Sequence, residues 1–289
     1  MTHSPSPLEP ARPRPPRPVP GLGALADRYG ALIADVWGVL TDGVTLFPDA
    51  ADALARFRAR DGAIALLTNS ARPGELVLKR LVKLGLDPAL VDAVVTAGDC
   101  AKAVIAARFA GRPLFHLGPD FDRPLVDGLP ARPVSDPAGA EVLLATGPLD
   151  EDIAAHRPLL EEPARRGVPM VCANPDRWVR WGARRIPCAG LLADLYEELG
   201  GVVIRAGKPA PVCFEEAARR LGRETPAARR DILVVGDGLE TDIRGAQDAG
   251  LASVWISHGL HADQLENGVG PLLAQAGVCP DYVMERLRW

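Results

Sequence analysis

From Leu22 onward, short apolar runs alternate with longer stretches whose apolar residues recur at helical spacing. Ala31–Leu40 (ALIADVWGVL) opens as an unbroken apolar strand and then reaches a glycine. Ala63–Ser70 (AIALLTNS), Ala93–Asp99 and Asp231–Gly238 (DILVVGDG) repeat the design, an apolar run ending in polar residues, and Ser253–Gly259 is strand-like too. Between these runs, Asp49–Arg60 sets Ala50, Ala53, Leu54 and Phe57 on one side of a helix. Pro73–Leu84 begins with the proline that suits a first turn and is stopped by Gly85. Cys100–Phe109 and Pro211–Leu221 are helical as well. Strands without polar alternation are covered on both faces, so the pattern predicts an α/β fold with a doubly wound parallel sheet.

The middle of the chain is choppier. Pro113–Pro119, Glu141–Pro148 and Pro169–Asp176 are strand-like, with helical patterns at Asp150–Arg166 and Ala189–Leu199, before Val202–Pro209 resumes the first rhythm. The expected organisation is a core of residues 22–112 and 202–289, interrupted by an inserted α/β module at 113–201. The first twenty residues hold eight prolines and three arginines. Residues 1–21 therefore have little to bury and are expected to form a disordered or extended tail.

Composition narrows the classes. Aromatic residues are only 5% of the chain, so the core must be aliphatic. The net charge of −4 argues against a partner whose phosphates the protein neutralises, so no nucleic acid is expected. The tail carries three arginines against Glu9, which leaves the remainder at −6. No run approaches the length of a membrane span, and the N-terminus lacks the apolar core of a signal peptide. The five cysteines are scattered and form no C-x-x-C pair, which argues against structural zinc or a disulfide framework. They are expected as small buried hydrophobes in a cytoplasmic protein.

In an open parallel sheet, ligands bind outside the carboxyl ends of the strands. Four predicted strand ends carry Asp35, Thr68 with Asn69, Lys208, and Asp237 with Asp242. Alone, such an aspartate is as readily the N-cap of the next helix, and a lysine a solvated charge. Together they suggest chemistry. Carboxylates brought together repel unless a cation lies between them, and hard oxygen donors suit Mg²⁺, which binds one or two carboxylates plus a substrate phosphate. Lys208 offers a point charge to an anion and Thr68 a hydroxyl donor. This is equipment for phosphoryl transfer to or from a small phosphorylated molecule, and a carboxylate can itself attack phosphorus.

The ordered motifs DVWGV (Asp35–Val39), LLTNS (Leu66–Ser70), AGKP (Ala206–Pro209) and VVGDGLETDIRGA (Val234–Ala246) resemble the four motifs of the haloacid dehalogenase (HAD) superfamily. A cap between the second and third motifs, with CANPD (Cys172–Asp176) inside it, resembles class IIA, which includes NagD-type, p-nitrophenyl and pyridoxal phosphate phosphatases. The resemblance implies a Rossmann-like core and a Mg²⁺-dependent phosphohydrolase that works through an aspartyl-phosphate. It implies that Asp35 is nucleophile and metal ligand, that Thr68 bonds the phosphoryl group, and that Lys208 neutralises both. It implies metal ligation by Asp237 and by the backbone carbonyl of Trp37, with Asp242 orienting metal-bound water or Lys208. Gly236 and Gly238 would let the loop approach the metal, Asn69 and Ser70 would add contacts near the phosphate, and Asn174 and Asp176 would shape the substrate pocket.

One departure matters. Phosphatases of this family carry a second aspartate two residues after the nucleophile, where this chain has Trp37. That carboxyl protonates the leaving oxygen and then activates water, work worth roughly 10²–10⁴-fold, and an indole N–H cannot do it. Three outcomes stay open: hydrolysis with a good leaving group or a substitute base (Asp42, His116 or Asp176), an aspartyl-phosphate phosphotransferase, or a regulatory protein that binds a phosphorylated ligand without turnover. Dehalogenation is disfavoured, because Asp237 and Asp242 together argue for a metal. In the cap, Asp176–Arg185 (DRWVRWGARR) is either a loop with solvated arginines or a substrate surface, with Arg177 or Arg180 holding an anion and Trp178 or Trp181 stacking. His258 and His261 lack a third metal ligand and are expected in a solvated loop. Sugar phosphates, nucleotides and pyridoxal phosphate remain open as substrates, and so does a homodimer, since many caps of this class pair.

Overall fold

The computed structural model describes residues 15–182 and 184–289. The chain lays down β1 (Arg17–Pro18), β2 (Ala31–Ala34), β3 (Ala63–Thr68) and β4 (Ala93–Thr96) in a first sheet. It then builds a second sheet from β5 (Pro113–Leu117), β6 (Arg132–Val134), β7 (Val142–Ala145) and β8 (Met170–Cys172). A hairpin of β9 (Trp178–Trp181) and β10 (Arg184–Pro187) follows, and β11 (Val203–Arg205) returns to the second sheet. The chain re-enters the first sheet with β12 (Ile232–Gly236), β13 (Ala252–Ile256) and β14 (Tyr282–Met284). The first sheet runs β1-β14-β13-β12-β2-β3-β4 and the second β11-β8-β7-β5-β6, with every pair parallel. This is the expected doubly wound α/β architecture with a second α/β unit inserted.

The unbroken apolar runs are explained by two buried faces. Leu32, Ala34, Ile64, Leu66, Leu233 and Val235 point into one core, with Leu54 and Phe57 of the Pro48–Arg58 helix. Their neighbours Ala31, Ile33, Ala65, Leu67, Ile232 and Val234 point into the opposite core, with Cys213, Phe214 and Ala217 of the Pro211–Arg220 helix. Successive strand side chains alternate in direction, so two helical layers require apolar residues at every position. Cys172, Cys188 and Cys213 are buried, as expected of small hydrophobes. Among the described residues, no helix is long and apolar enough to cross a membrane.

Four expectations are corrected. The tail assigned to residues 1–21 lies outside the described residues up to residue 14, but Arg17–Pro18 is an ordered edge strand whose pairing Val19 continues. Its Arg17 and Val19 N–H groups donate to Asp281 and Val283 carbonyls at 3.0 Å each. Prolines at 16, 18 and 20 lack only the N–H groups that would face outward, so the alternation P-R-P-V-P suits an edge and blunts it. The boundary at 201 falls too early: β11 pairs with β8, and Val203 and Ile204 pack into the two cores of the inserted unit. Asp150–Arg166 is not one helix but a 3-10 turn at Ile153–His156 followed by an α-helix at Arg157–Arg165. The tryptophan-rich stretch is the β9–β10 hairpin rather than a loop.

Deleting the chain through Pro20 removes two edge hydrogen bonds and the buried Val19 side chain. At about 1 kcal/mol per bond and 1.5–3 kcal/mol for the valine, urea denaturation should show a loss of about 4 kcal/mol. Deleting residues 1–14 alone should leave that value within about 0.5 kcal/mol.

Candidate active site

The strand ends converge as the sheet order requires. Asp35 follows β2, Thr68 closes β3, and Asp237 follows β12, while Lys208 arrives from the loop after β11. The Lys208 ammonium, 3% exposed, donates to Asp35 Oδ1 at 2.6 Å, Asp242 Oδ1 at 2.7 Å and the Leu67 carbonyl at 3.1 Å. All three of its protons are thereby used. Burial disfavours the ammonium, but Asp242, Asp35 and Asp176 outweigh that cost and hold its pKa above the ordinary lysine range.

Asn69 fixes the lysine backbone. Its Oδ1 accepts from the Lys208 N–H at 2.8 Å, and its Nδ2 donates to the Lys208 carbonyl at 3.2 Å and to Asp176 Oδ1 at 2.8 Å. Asp242 is delivered by a π-turn over Leu239–Ile243, in which both Asp242 and Ile243 N–H groups donate to the Gly238 carbonyl. Such turns concentrate at functional sites. Asp242 Oδ2 accepts from the Gly238 N–H at 3.0 Å. Glycine at 236 makes room for that side chain, since a Cβ there would lie 2.2 Å from Asp242 Cγ. Gly38 has φ +85 and a Cβ on it would fall 1.9 Å from Asp237 Oδ2, so the turn after the Asp35 strand closes over Asp237 only with glycine. The Asp237 carbonyl accepts from Trp255 Nε1 at 3.0 Å and its Oδ2 from the Leu260 N–H at 2.7 Å.

These carboxylates fit a divalent cation. Oxygens of Asp35, Asp237 and Asp242, all buried, lie within 4.8 Å of one another. Three carboxylates against one ammonium leave two negative charges in a buried site. Burial, then the charges of Asp35 and Asp242, push Asp237 well above the carboxylate range. Burial likewise pushes Asp35 up to about 7, against the pull of Lys208. A divalent cation with hard oxygen ligands would remove that penalty. No backbone N–H among the described residues donates to the Trp37 carbonyl, which remains available as a further oxygen donor.

A cavity of about 800 Å³ opens over this cluster. Asp35, Trp37, Thr68, Asn69, Ser70, Asn174, Asp176, Lys208, Asp237 and Asp242 all line it. Arg177 does not: its Nε donates to Asp194 Oδ2 at 2.7 Å on the cap surface. Arg180 does line the cavity and pairs with Asp263. Among the substitute bases, Asp42 spends Oδ1 on the Val44 and Thr45 N–H groups of its own turn. His116 lies off the cavity lining, its Nε2 2.9 Å from Thr146 Oγ1, and burial lowers its pKa. Asp176 is held by Asn69. His258 and His261 point to separate partners, Ser257 and Glu285 for one and Gln264 and the Leu239 N–H for the other.

Asp122 was not foreseen. It is a buried carboxyl of the inserted unit that lines the cavity, bonded to the Thr146 hydroxyl and 4.0 Å from Arg72 Nε. Nothing in PDFDRP distinguishes it from the exposed Asp120 two residues before. Only the packing of the second sheet does.

Two family models match the chain, one described as haloacid dehalogenase-like hydrolase over residues 32–129 and one as HAD-hydrolase-like over residues 205–289. A crystal structure of a hydrolase of the haloacid dehalogenase-like family from Brucella suis 1330 is 35% identical, with a TM-score of 0.83, and the match covers 93% of this chain and 99% of that one. D-glycerol 3-phosphate phosphatase of Mycobacterium tuberculosis is 28% identical over 249 residues, 83% of this chain and 66% of that relative's length. A glycerol phosphate phosphatase from Mycobacterium tuberculosis, crystallised with magnesium, is 25% identical with a TM-score of 0.68, covering 90% of this chain and 76% of that one.

Burial pushes Asp122 up to about 6 from 3.8. A carboxyl raised in the folded state binds its proton more tightly there, so its contribution to stability falls as pH rises from about 4 through 6. Asp122→Asn should therefore gain stability over the parent protein by about 3 kcal/mol between pH 4 and pH 7.5, at about 1.4 kcal/mol per unit. Urea melts of both proteins across that range measure it.

Proposed function

The chain is a phosphatase-type, class IIA member of the haloacid dehalogenase-like hydrolase family, and from that premise we propose that it hydrolyses a small phosphorylated metabolite through an aspartyl-phosphate on Asp35. The observation that carries this reading is the buried Lys208 ammonium bonded at once to Asp35 and Asp242, with Asp237 alongside. Asp35, Asp237 and the Trp37 carbonyl would hold Mg²⁺, with Asp242 behind them. When bound, the cation supplies positive charge against the phosphoryl oxygens and removes repulsion among the carboxylates.

The chain's own residues do the rest. Thr68 Oγ1 accepts from the Ser70 N–H at 3.3 Å, which leaves its own proton free for a phosphoryl oxygen. Lys208 fixes the Asp35 carboxylate and screens its charge as an anionic group approaches. An Asp35 oxygen attacks phosphorus and the ester oxygen leaves; water then attacks phosphorus and frees the carboxylate. The inserted unit serves as the cap that excludes bulk water. Trp37 stands where an acid would protonate the leaving oxygen, so alkyl esters should turn over slowly. A long-lived aspartyl-phosphate that passes its phosphoryl group to another acceptor is a second reading, favoured by an indole at Trp37 that cannot activate water against the intermediate.

With Mg²⁺ and p-nitrophenyl phosphate, Asp35→Asn should lower kcat by at least about 10³-fold. Tight phosphate binding with no turnover in either protein would instead mean a binding protein. Trp37→Asp should raise kcat on an alkyl phosphate by about 10²–10⁴-fold. No rise would mean that the missing acid does not limit the parent enzyme.

A further inference from the structure

We propose that Cys100 and Cys213 form a redox pair that closes to a disulfide under hydroperoxides, opens under dithiols, and when closed lowers turnover at Asp35. The pair itself stands on its geometry; only the effect on turnover rests on the phosphatase reading.

The two Sγ atoms lie 3.6 Å apart, although the residues are 113 positions distant in the chain. Neither residue lines the cavity over Asp35. Cys100 is in the first turn of the Ala97–Arg108 helix and Cys213 in the first turn of the Pro211–Arg220 helix. Cys213 is fully buried, whereas Cys100 keeps partial exposure. The thiol nearer to solvent is also the more acidic one. The hydrogen bond from Cys213 holds Cys100 below the ordinary thiol range, and the same bond, with burial, pushes Cys213 up. Oxidation begins at an accessible thiolate, and a neighbouring thiol resolves the product. Cys100 is thus placed to meet the oxidant, and Cys213 to meet only Cys100. The other fully buried cysteines differ: Cys172 donates to the Asn174 carbonyl at 3.4 Å, Cys188 to the Ile186 carbonyl at 3.8 Å, and burial pushes both thiols up.

A hydroperoxide supplies the oxidant. The Cys100 thiolate attacks a peroxide oxygen, the O–O bond breaks, and hydroxide leaves and takes up the Cys100 proton to become water. The Cys213 sulfur then attacks the Cys100 sulfenic acid. The S–S bond forms, the S–OH bond breaks, and hydroxide leaves with the Cys213 proton as a second water. Two thiols lose two electrons and two protons, and the peroxide is reduced to water. A dithiol reverses the bond by exchange.

The location of the pair gives the bond its consequence. The chain enters the inserted unit from the Ala97–Arg108 helix through β5 and leaves it through β11 toward the Pro211–Arg220 helix. Cys100 packs both on the core layer that holds Phe214 and Ala217 and on the cluster of Leu144 and Val171 in the inserted unit. Just before it, the Gly98 N–H donates to the Ser70 carbonyl at 3.0 Å, and a Cβ at Gly98 would lie 2.0 Å from the Ala71 oxygen. That first turn is therefore pressed on the loop that follows Thr68. On the other side, the Cys213 N–H donates to the Ala210 carbonyl at 3.1 Å and the Ala210 N–H to the Gly207 carbonyl at 2.9 Å, which ties its turn to the Lys208 loop. A disulfide would draw the two turns together and displace Thr68 and Lys208 from their arrangement around Asp35.

The test treats the reduced full chain with excess hydrogen peroxide, blocks the remaining thiols with N-ethylmaleimide and maps tryptic peptides without reduction. Peptides 84–102 and 206–219 should be joined through Cys100 and Cys213, and the thiol count in denaturant should fall from five to three. Dithiothreitol should restore all five. With Mg²⁺ and p-nitrophenyl phosphate, oxidation should lower kcat at least fivefold, and dithiothreitol should reverse the loss. In Cys213→Ala, Cys100 should stop at a sulfenic acid that dimedone traps, with less than a twofold loss of kcat. In Cys100→Ala, Cys213 should stay reduced. Five thiols surviving peroxide, Cys100 oxidised beyond the sulfenic acid with no joined peptides, or other cysteines joining first would overturn the pair. Joined peptides with unchanged kcat would overturn its control of turnover. Failure of every form to hydrolyse the ester would overturn the phosphatase reading, and the peptide map would still decide the pair.

Discussion

One buried ammonium holds the site together. Lys208 Nζ reaches residues 173, 141 and 34 positions away in the chain and joins the ends of two strands to the loop after a third. Such a cluster adds little stability of its own, because the desolvation of its charges offsets their attraction, yet removing one partner typically costs 3–5 kcal/mol. Its effect is to select a single arrangement. The carboxylates outnumber the ammonium, so with all of them ionised the folded chain holds negative charge that a proton or a bound cation must relieve. The strained electrostatics and the readiness to bind a metal and a phosphate are therefore one property.

The same lysine governs how the two sheets meet. Its backbone is clamped through both N–H and carbonyl by Asn69, and the remaining Asn69 proton goes to Asp176 of the inserted unit. One amide side chain therefore joins the end of β3, the lysine loop and the cap. A Cβ at Gly207 would lie 2.5 Å from Asn69 Oδ1, so the clamp also explains glycine before the lysine. Orientation of the cap over Asp35 follows from the contacts that place the ammonium.

How far the sequence discloses this depends on the kind of signal. Asp35, Thr68, Asn69 and Asp237 stand out because they end continuous apolar runs, and Lys208 and Asp242 because they follow closely behind such runs, whose ends a parallel sheet brings together. The two-faced burial of β2, β3 and β12 is legible for the same reason. Short pieces escape: β6, β14 and the β9–β10 hairpin have too few residues for a period to show. The edge strand at Arg17–Pro18 was hidden by its prolines, although their spacing in twos is what an edge strand requires. Arg177 and Asp122 exchanged places for a tertiary reason. Arg177 found Asp194 at the surface, whereas Asp122, in an unremarkable turn, was carried into the cavity by packing of the second sheet.

Trp37 shows how one position can carry an indole beside the carboxylates while its backbone keeps the turn. Its backbone still forms the turn after β2, in which the Gly38 N–H donates to the Thr41 carbonyl and the Thr41 N–H to Val36. Its carbonyl accepts no backbone N–H among the described residues and remains available as an oxygen donor. Its side chain is a ring packed against the first core and beside Gly43, with no group that exchanges protons. The indole lines the same cavity as the two tryptophans of the hairpin, so Trp37 and the tryptophans of the cap are parts of one surface. A carboxylate in that place would be buried among aromatic rings and near the carboxylates of Asp35 and Asp237, and both raise its cost unless a cation is bound beside it. The aromatic wall and the missing acid are consistent with each other because each makes the other tolerable.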